Sequence, residues 1–367
     1  MHLIELELRG FRNYRQEVFR FDQGVNLIVG SNAQGKTNLL EAIGFLGSGK
    51  SFRTQKNGEM VRFDGEFGEI TGQVSSQGRE QNIRWLLFPG RPRQLWRNGA
   101  KKKRAADITG VLPTVLFCPE DLMILKSGAS ARRRLGDTVL CALRPNYEAA
   151  LTEYNRILEQ KSRILKDSHE DIRLLSILPD YNERLCQVGA LLISYRARFY
   201  QSLGAEAARF HGQFSGGTED FRLEYKTVST VEDPFAPTEA LRERLRAHLE
   251  SHARAELQSG QCLTGPHKDD FTITLSGVDL KAFGSQGQTR TAAISLKLAQ
   301  RELMKREFGE EPVLLLDDVL SELDEKRQDF VLNQIKSGQV FITCCEPGRF
   351  TKLGKTMEIS GGKRVDG

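Results

Sequence analysis

The sequence predicts an α/β protein: a mixed sheet around a phosphate loop, interrupted by an inserted, mainly helical lobe. Three observations predict it. The apolar run Val25–Val29 leads into Gly30-Ser31-Asn32-Ala33-Gln34-Gly35-Lys36-Thr37. Far downstream a second apolar run, Val313-Leu314-Leu315-Leu316, ends in Asp317-Asp318. Between them, strand-like alternation gives way to long helical periodicity.

Residues 1–8 alternate apolar and polar like a half-buried strand, and not like a signal peptide. Val25–Val29 is short and rich in β-branched residues, as a buried strand is. The Gly-x-x-x-x-Gly-Lys-Thr spacing after it is that of a P-loop. Glycines let such a loop curl until successive N–H groups point inward. The start of the next helix, expected at Thr37, adds partial positive charge. Lys36 is the type that reaches β- and γ-phosphates, and Thr37 the type that binds Mg²⁺. A second match, Gly44 with Gly49-Lys50-Ser51, follows the predicted helix instead of a strand. Its amides would not converge on an anion, so Lys50 and Arg53 read as basic loop residues near the site.

Residues 1–120 are strand-rich, with a polar turn at 75–78. From Arg79 to Arg104 there are nine basic residues and one acidic, a local balance of +8 within a chain of net +5. Trp85 and Trp96 are interleaved. This composition suits contact with a phosphate backbone, and a solvated hairpin surface is the equal alternative. Lys101, Lys102, Lys103 and Arg104, with Lys50 and Arg53, are the candidate DNA contacts.

The helical part follows. Residues 146–166 carry Ala150, Leu151, Tyr154, Ile157, Leu158 and Leu165 at helical spacing, and 174–210 form a second such run with Pro179 early. They are expected to pack antiparallel across a turn at 167–170. A strand-like interval near 221–228 precedes a helix started by Pro234 and Pro237. Strand character is expected to return at Cys262. The chain thus reads as a head of residues 1–121 and 260–367, with 122–259 inserted, and a loose tail at 361–367.

Phe283-Gly284-Ser285-Gln286-Gly287-Gln288 precedes a helical run over 292–308. A serine and a glycine at a helix start make an anion site. One chain already has its phosphate loop, so the economical reading is that Ser285 and Gly287 serve the γ-phosphate held by a second copy; a helix cap is the plain alternative. Pro312, four apolar residues and two aspartates have the profile of a central parallel strand ending in carboxylates. Asp317 is placed to hold Mg²⁺, and Asp318 to orient or deprotonate the attacking water. In Ser321-Glu322-Leu323-Asp324 an aspartate or the serine can cap a helix over 325–336, and the loop can also contact a partner's site across a dimer interface.

With 39% apolar and 28% charged residues, the composition is that of an ordinary soluble chain. No apolar run approaches the ~20 residues that span a bilayer. Six scattered cysteines form no Cys-x-x-Cys pair, so neither zinc nor a disulfide framework is indicated and a reduced, cytosolic chain is expected. Cys344-Cys345 reads as core packing. His267 reads as a hydrogen-bonded structural residue. Arg132-Arg133-Arg134 reads either as a DNA contact or as a partner of nearby acids, and Glu120 as a contact near the metal.

The order of P-loop, serine motif, acidic strand and Ser-x-Leu-Asp loop resembles an ATP-binding-cassette ATPase head of the SMC-like kind. Within that class it resembles the RecF family of bacterial DNA replication and repair proteins. Leu8-Arg9-Gly10-Phe11-Arg12-Asn13-Tyr14, Pro119-Glu120-Asp121-Leu122 with Arg132-Arg133-Arg134, and Thr264-Gly265-Pro266-His267-Lys268-Asp269-Asp270 carry this. The resemblance spans residue 1 to about 360. It implies an ABC-type ATPase head with a helical lobe or short arm. ATP would lie on residues 30–37 with Mg²⁺, Ser285 would act in trans, and Asp317 and Asp318 would form the acidic pair. It further implies an ATP-dependent homodimer on double-stranded, gapped or junction DNA, a RecR-type mediator as partner, and a cytoplasmic, nucleoid-associated protein with no membrane contact. Three departures from a transporter-type cassette stand out: Ser-Gln-Gly-Gln in place of a double glycine, Asp318 where glutamate is usual, and Thr343-Cys344-Cys345 where many cassettes have a switch histidine. Together they imply a weak, DNA-stimulated ATPase used as a switch. The alternative is an ATP-binding scaffold for recombination mediators with little hydrolysis.

Overall fold

The computed structural model describes residues 1–346 and 348–365. The chain forms two compact units, Met1–Leu122 with Lys297–Gly367, and Met123–Leu296.

The first unit contains two six-stranded sheets. One is antiparallel throughout, in the order Tyr14–Arg20, His2–Phe11, Gly68–Ser76, Arg79–Phe88, Arg91–Arg97, Ala100–Lys102. The other runs Lys363–Val365, Lys355–Ser360, Val25–Val29, Val340–Cys344, Val313–Leu316, Thr114–Phe117, and is parallel apart from the final hairpin. Its central strands are buried on both faces, which is why Val313–Leu316 and Val340–Cys344 are apolar runs without alternation. Helix Lys36–Ser48 shares one apolar core with both sheets. Its Leu39, Leu40, Ile43, Phe45 and Leu46 are fully buried, each contributing roughly 1.5–3 kcal/mol relative to exposure. The phosphate-loop strand and the acidic strand lie in the same sheet, separated only by Val340–Cys344.

In the second unit, helices Ala129–Leu143, Pro145–Asp167, Leu178–Ser215 and Thr238–Ser259 accompany a small antiparallel sheet, Val278–Asp279, Asp270–Leu275, Phe221–Lys226. Pro145 and Pro179 sit in the first turns of their helices, where a missing N–H costs nothing. The 38-residue helix Leu178–Ser215 ends on Gly216 in the left-handed conformation (φ 65°). Gly204 lets this helix approach the sheet: a Cβ there would lie 3.1 Å from the Cβ of Leu223.

The structure differs from the sequence reading at several points. The inserted unit ends at Leu296, not 259, because Asp270–Leu275 pairs with Phe221–Lys226 along its whole length. Strand structure resumes at Asp270 rather than Cys262; the intervening residues form a short 3₁₀ turn at Pro266–Lys268. The tail at 361–367 is not loose throughout, since Lys363–Val365 pairs back on Glu358 to Ser360 across a Gly361-Gly362 turn; Asp366 and Gly367 lie outside the described residues.

Candidate functional site

The phosphate loop is held from behind by the opening hairpin. Asn13 Nδ2 donates to the Gln34 carbonyl (2.9 Å) and Tyr14 Oη to the Gly35 carbonyl (2.9 Å). The Gly362 N–H donates to Gln34 O (3.0 Å). Gly35 has φ 119° and caps the helix; a Cβ there would lie 2.7 Å from Asn13 Nδ2, so only glycine fits. Arg12 forms a two-pronged pair with the fully buried Glu41 of the loop's helix (2.8 and 2.7 Å). The run Leu8 to Tyr14 is therefore a buttress of the loop, a role that spacing alone did not reveal.

Within the loop, Lys36 Nζ donates to the carbonyls of Gly30 (2.7 Å) and Ser31 (3.3 Å). It also lies 3.4 Å from Cys345 Sγ, which in turn contacts Asn32 Oδ1 at 3.0 Å. Only half of the cysteine pair is core: Cys344 is buried, while Cys345 is exposed at the loop because the strand ends between them.

The acidic strand meets the loop through one hydrogen bond. Thr37 Oγ1 donates to Asp317 Oδ1 at 2.9 Å, across 280 residues of sequence. Thr343 Oγ1 donates to the same oxygen (3.0 Å) and accepts from the Asp318 N–H (2.8 Å). One threonine thus spans both aspartates. Burial raises the Asp317 pKa above the usual carboxylate value; the two hydroxyls oppose this, and Asp318 and Glu120 add repulsion. Asp318 is half-buried, with a left-handed backbone (φ 49°) that turns the chain out of the strand. Asp324 caps helix Glu325–Gln334 by accepting from the Arg327 N–H (3.0 Å).

No lysine, arginine or histidine among the described residues pairs with Asp317. A buried carboxylate held only by two hydroxyls is a hard-oxygen donor set, which fits Mg²⁺ better than softer metals. Thr37 and Asp317 are the residues that could hold it.

Ser285 stands just before helix Gln286–Phe308, which begins six residues earlier than the apolar pattern suggested. Ser285 Oγ accepts from the Gln288 N–H (3.2 Å), and Gln288 Oε1 accepts from the Ser285 N–H (3.1 Å). This is a capping box. The cap uses the serine oxygen as an acceptor and leaves its O–H as a donor for another group, so the two sequence readings are compatible. Gly287 lies in the first turn of this helix.

The basic segment divides between core and surface. Trp85 is buried and donates Nε1–H to Leu46 O (3.1 Å), with Arg93 over its ring at 5.0 Å. Trp96 is half-buried between Arg84 (5.3 Å) and Lys101 (5.5 Å), its direct cross-strand neighbours. Lys101, Lys103 and Arg104 are exposed and Lys102 is half-buried on this sheet edge. Arg53 is already committed, donating to Asn38 Oδ1 (2.6 Å) and lying 3.5 Å from Glu41. Lys50 is exposed in the same loop. Gly49 is the left-handed C-cap of helix Lys36–Ser48, so the second glycine-lysine match closes a helix and opens none.

Arg132, Arg133 and His267 have partners within the second unit. Arg132 is buried against Asp270 (2.6 and 2.7 Å), and Arg133 donates to the Asp269 carbonyl (2.6 Å). His267 is held by Tyr154 Oη at Nδ1 (2.8 Å) and Cys262 O at Nε2 (3.1 Å). Arg196, invisible as a motif, bonds Asp269 (2.8 Å), Asp137 (3.0 Å) and the Pro266 carbonyl (2.6 Å).

A P-loop threonine bonded to the carboxylate of a strand two places away in a parallel sheet defines the class: a P-loop nucleotide-dependent head. The RecF/RecN/SMC N terminal domain family matches residues 2–364. A DNA replication and repair protein RecF from Acetivibrio thermocellus is 38% identical over 351 residues, covering 95% of each chain. A solved structure of the recombination mediator protein RecF-ATP in the RecFOR pathway superposes with a TM-score of 0.90 at 34% identity, covering 100% of this chain and 98% of that one. The Smc head domain of Pyrococcus furiosus shares the fold, with a TM-score of 0.56 at 18% identity over 99% and 96% of the two chains. The chain belongs to the RecF family of DNA replication and repair proteins.

Proposed function

We propose that this protein is an ATP-dependent DNA-binding ATPase of recombinational repair and replication restart, working in the cytoplasm on double-stranded or gapped DNA. ATP binds residues 30–37 of each copy. Two copies then associate, with Ser285 of each donating to the γ-phosphate on the other. Slow, DNA-stimulated hydrolysis ends the association and releases the DNA, so the nucleotide acts through its differential affinity for the closed state. Membership of a family with a RecF-ATP structure in the RecFOR pathway supports the ATP and DNA-repair parts, and a RecR-type mediator is the matching partner.

The observation that carries the reading is the Thr37–Asp317 hydrogen bond, which joins the two sequence-distant halves of the site. Lys36 exchanges its present carbonyl partners for phosphate oxygens. Thr37 and Asp317 would hold Mg²⁺, which would neutralise phosphate charge. Asp318 accepts a hydrogen bond from the attacking water and orients it; its shorter reach than glutamate supports a slow rate. The exposed edge with Lys101, Lys103, Arg104 and the Arg84–Trp96–Lys101 row contacts the DNA backbone.

The test is DNA release by Asp318→Asn, followed by fluorescence anisotropy of a labelled duplex after an ATP chase. The variant is expected to bind ATP and DNA as the parent does and to release DNA at least tenfold more slowly. Release at the parental rate would contradict a hydrolysis-timed switch and favour the scaffold reading.

A further inference from the structure

The serine motif does not stand alone on its helix. Gln288 is the pivot. Its Oε1 accepts from the Ser285 N–H, and its Nε2 donates to Glu219 Oε1 at 2.8 Å. The second Glu219 oxygen is 2.8 Å from His211 Nε2. His211 is fully buried near the end of the long helix Leu178–Ser215 and packs on the ring of Phe221, with centroids 5.3 Å apart. Glu219 sits on the turn that leaves that helix after Gly216 and Gly217, both with positive φ.

The donor–acceptor chemistry gives this chain of contacts a direction. A carboxylate only accepts, so Gln288 must present its NH₂ to Glu219. That leaves the amide oxygen, and only the oxygen, facing the Ser285 N–H. Were the amide reversed, an NH₂ would oppose an N–H and the cap would fail. Hydrogen bonding to Gln288 and His211 also holds the Glu219 pKa below its ordinary value, the first being the stronger influence, against some cost of burial. The acceptor state is therefore the one maintained at neutral pH.

We infer that Glu219 and His211 are positioning residues for the serine motif: they lock the Gln288 amide so that Ser285 is capped with its hydroxyl proton turned to an external phosphate oxygen. The inference deepens the proposed two-copy site and rests on it. Nothing in the spacing of the serine motif points to residues some seventy positions upstream; Glu219 and Gln288 are 69 apart.

The experiment measures ATP-dependent self-association by sedimentation velocity, and ATP affinity by a fluorescent nucleotide, for the parent, Glu219→Ala, Gln288→Ala, the double variant, Glu219→Gln and Ser285→Arg. Glu219→Ala is expected to weaken association about tenfold, comparable to Gln288→Ala, with ATP affinity unchanged. The double variant is expected to lose no more than Gln288→Ala alone, the non-additivity of residues acting in one chain of contacts. Glu219→Gln, which keeps an acceptor oxygen, is expected to recover at least half of the loss. Parental association in Glu219→Ala, while Ser285→Arg abolishes it, overturns the positioning role alone. Additive losses overturn it too, since a merely structural Glu219 would act independently of Gln288. Parental association in Ser285→Arg overturns the two-copy reading itself, and the positioning role with it.

Discussion

The chain contains two adjacent aspartate pairs, and they differ in what answers their charge. Asp317-Asp318 ends a parallel strand, where Asp317 is buried and held by two threonine hydroxyls. Asp269-Asp270 opens an antiparallel strand, where Arg196 and Arg132 close on the two carboxylates in turn. Burial leaves the Asp317 pKa raised. Burial raises the Asp269 pKa as well, against Arg196 and the Tyr225 hydroxyl; for the half-buried Asp270 the bonds from Arg132 and the Phe271 N–H outweigh burial and hold that pKa low. The lesson is that a dipeptide does not define a metal site. A buried carboxylate without a cation of its own is poised to accept one; a buried carboxylate with an arginine is finished structure.

Four substitutions break or sharpen that contrast. Arg196→Met should be the most damaging, because it strands the buried Asp269 and half of Asp137 without their cation. A loss of about 3–5 kcal/mol in urea unfolding is expected. His267, beside the second pair, is pushed down to about 4 by burial. Its folded pKa lies below the unfolded ~6.5, so folding excludes a proton: the stability is whole above pH 6.5 and is lost as pH falls toward 4. The limit is about 3 kcal/mol, and His267→Gln should flatten that slope. On the first pair's side, Lys36→Met should cost about 100-fold in ATP affinity, measured by calorimetry, with little change in unfolding. Smallest in stability is Asp317→Asn. Its amide oxygen can accept from Thr37 and Thr343 while removing a buried charge, so the nucleotide-free protein should gain up to about 1 kcal/mol and lose its Mg²⁺-dependent stabilisation by ATP. A destabilised Asp317→Asn, as expected if Asp317 were another closed ion pair, would erase the contrast.

The difference between the regions also decides what was legible in the sequence. The phosphate loop and the acidic strand are contiguous runs whose chemistry is local: glycines, one lysine, four apolar residues and a carboxylate. Val25–Val29 and Val313–Leu316 were accordingly readable to the residue. Asp137, Arg196 and Asp269 come from three separate elements and meet only after the second unit has packed. Arg132 stayed open between a DNA contact and a partner of acids for the same reason, since nothing near it in sequence announces Asp270. Thr343 and Asn13 were missed as site residues because their contribution is a hydrogen bond across the sheet or the loop, which no spacing encodes. The unit boundary slipped to 296 because strand pairing between Phe221–Lys226 and Asp270–Leu275 outweighed proximity along the chain.

The most direct test of the account is molar mass by light scattering, with and without Mg²⁺ and ATP at matched salt, for the parent, Lys36→Met and Ser285→Arg. The account predicts a mass that doubles with ATP in the parent and stays monomeric in both variants. A parent that remains monomeric with ATP demonstrably bound, or a Ser285→Arg variant that still doubles, would contradict the two-copy site.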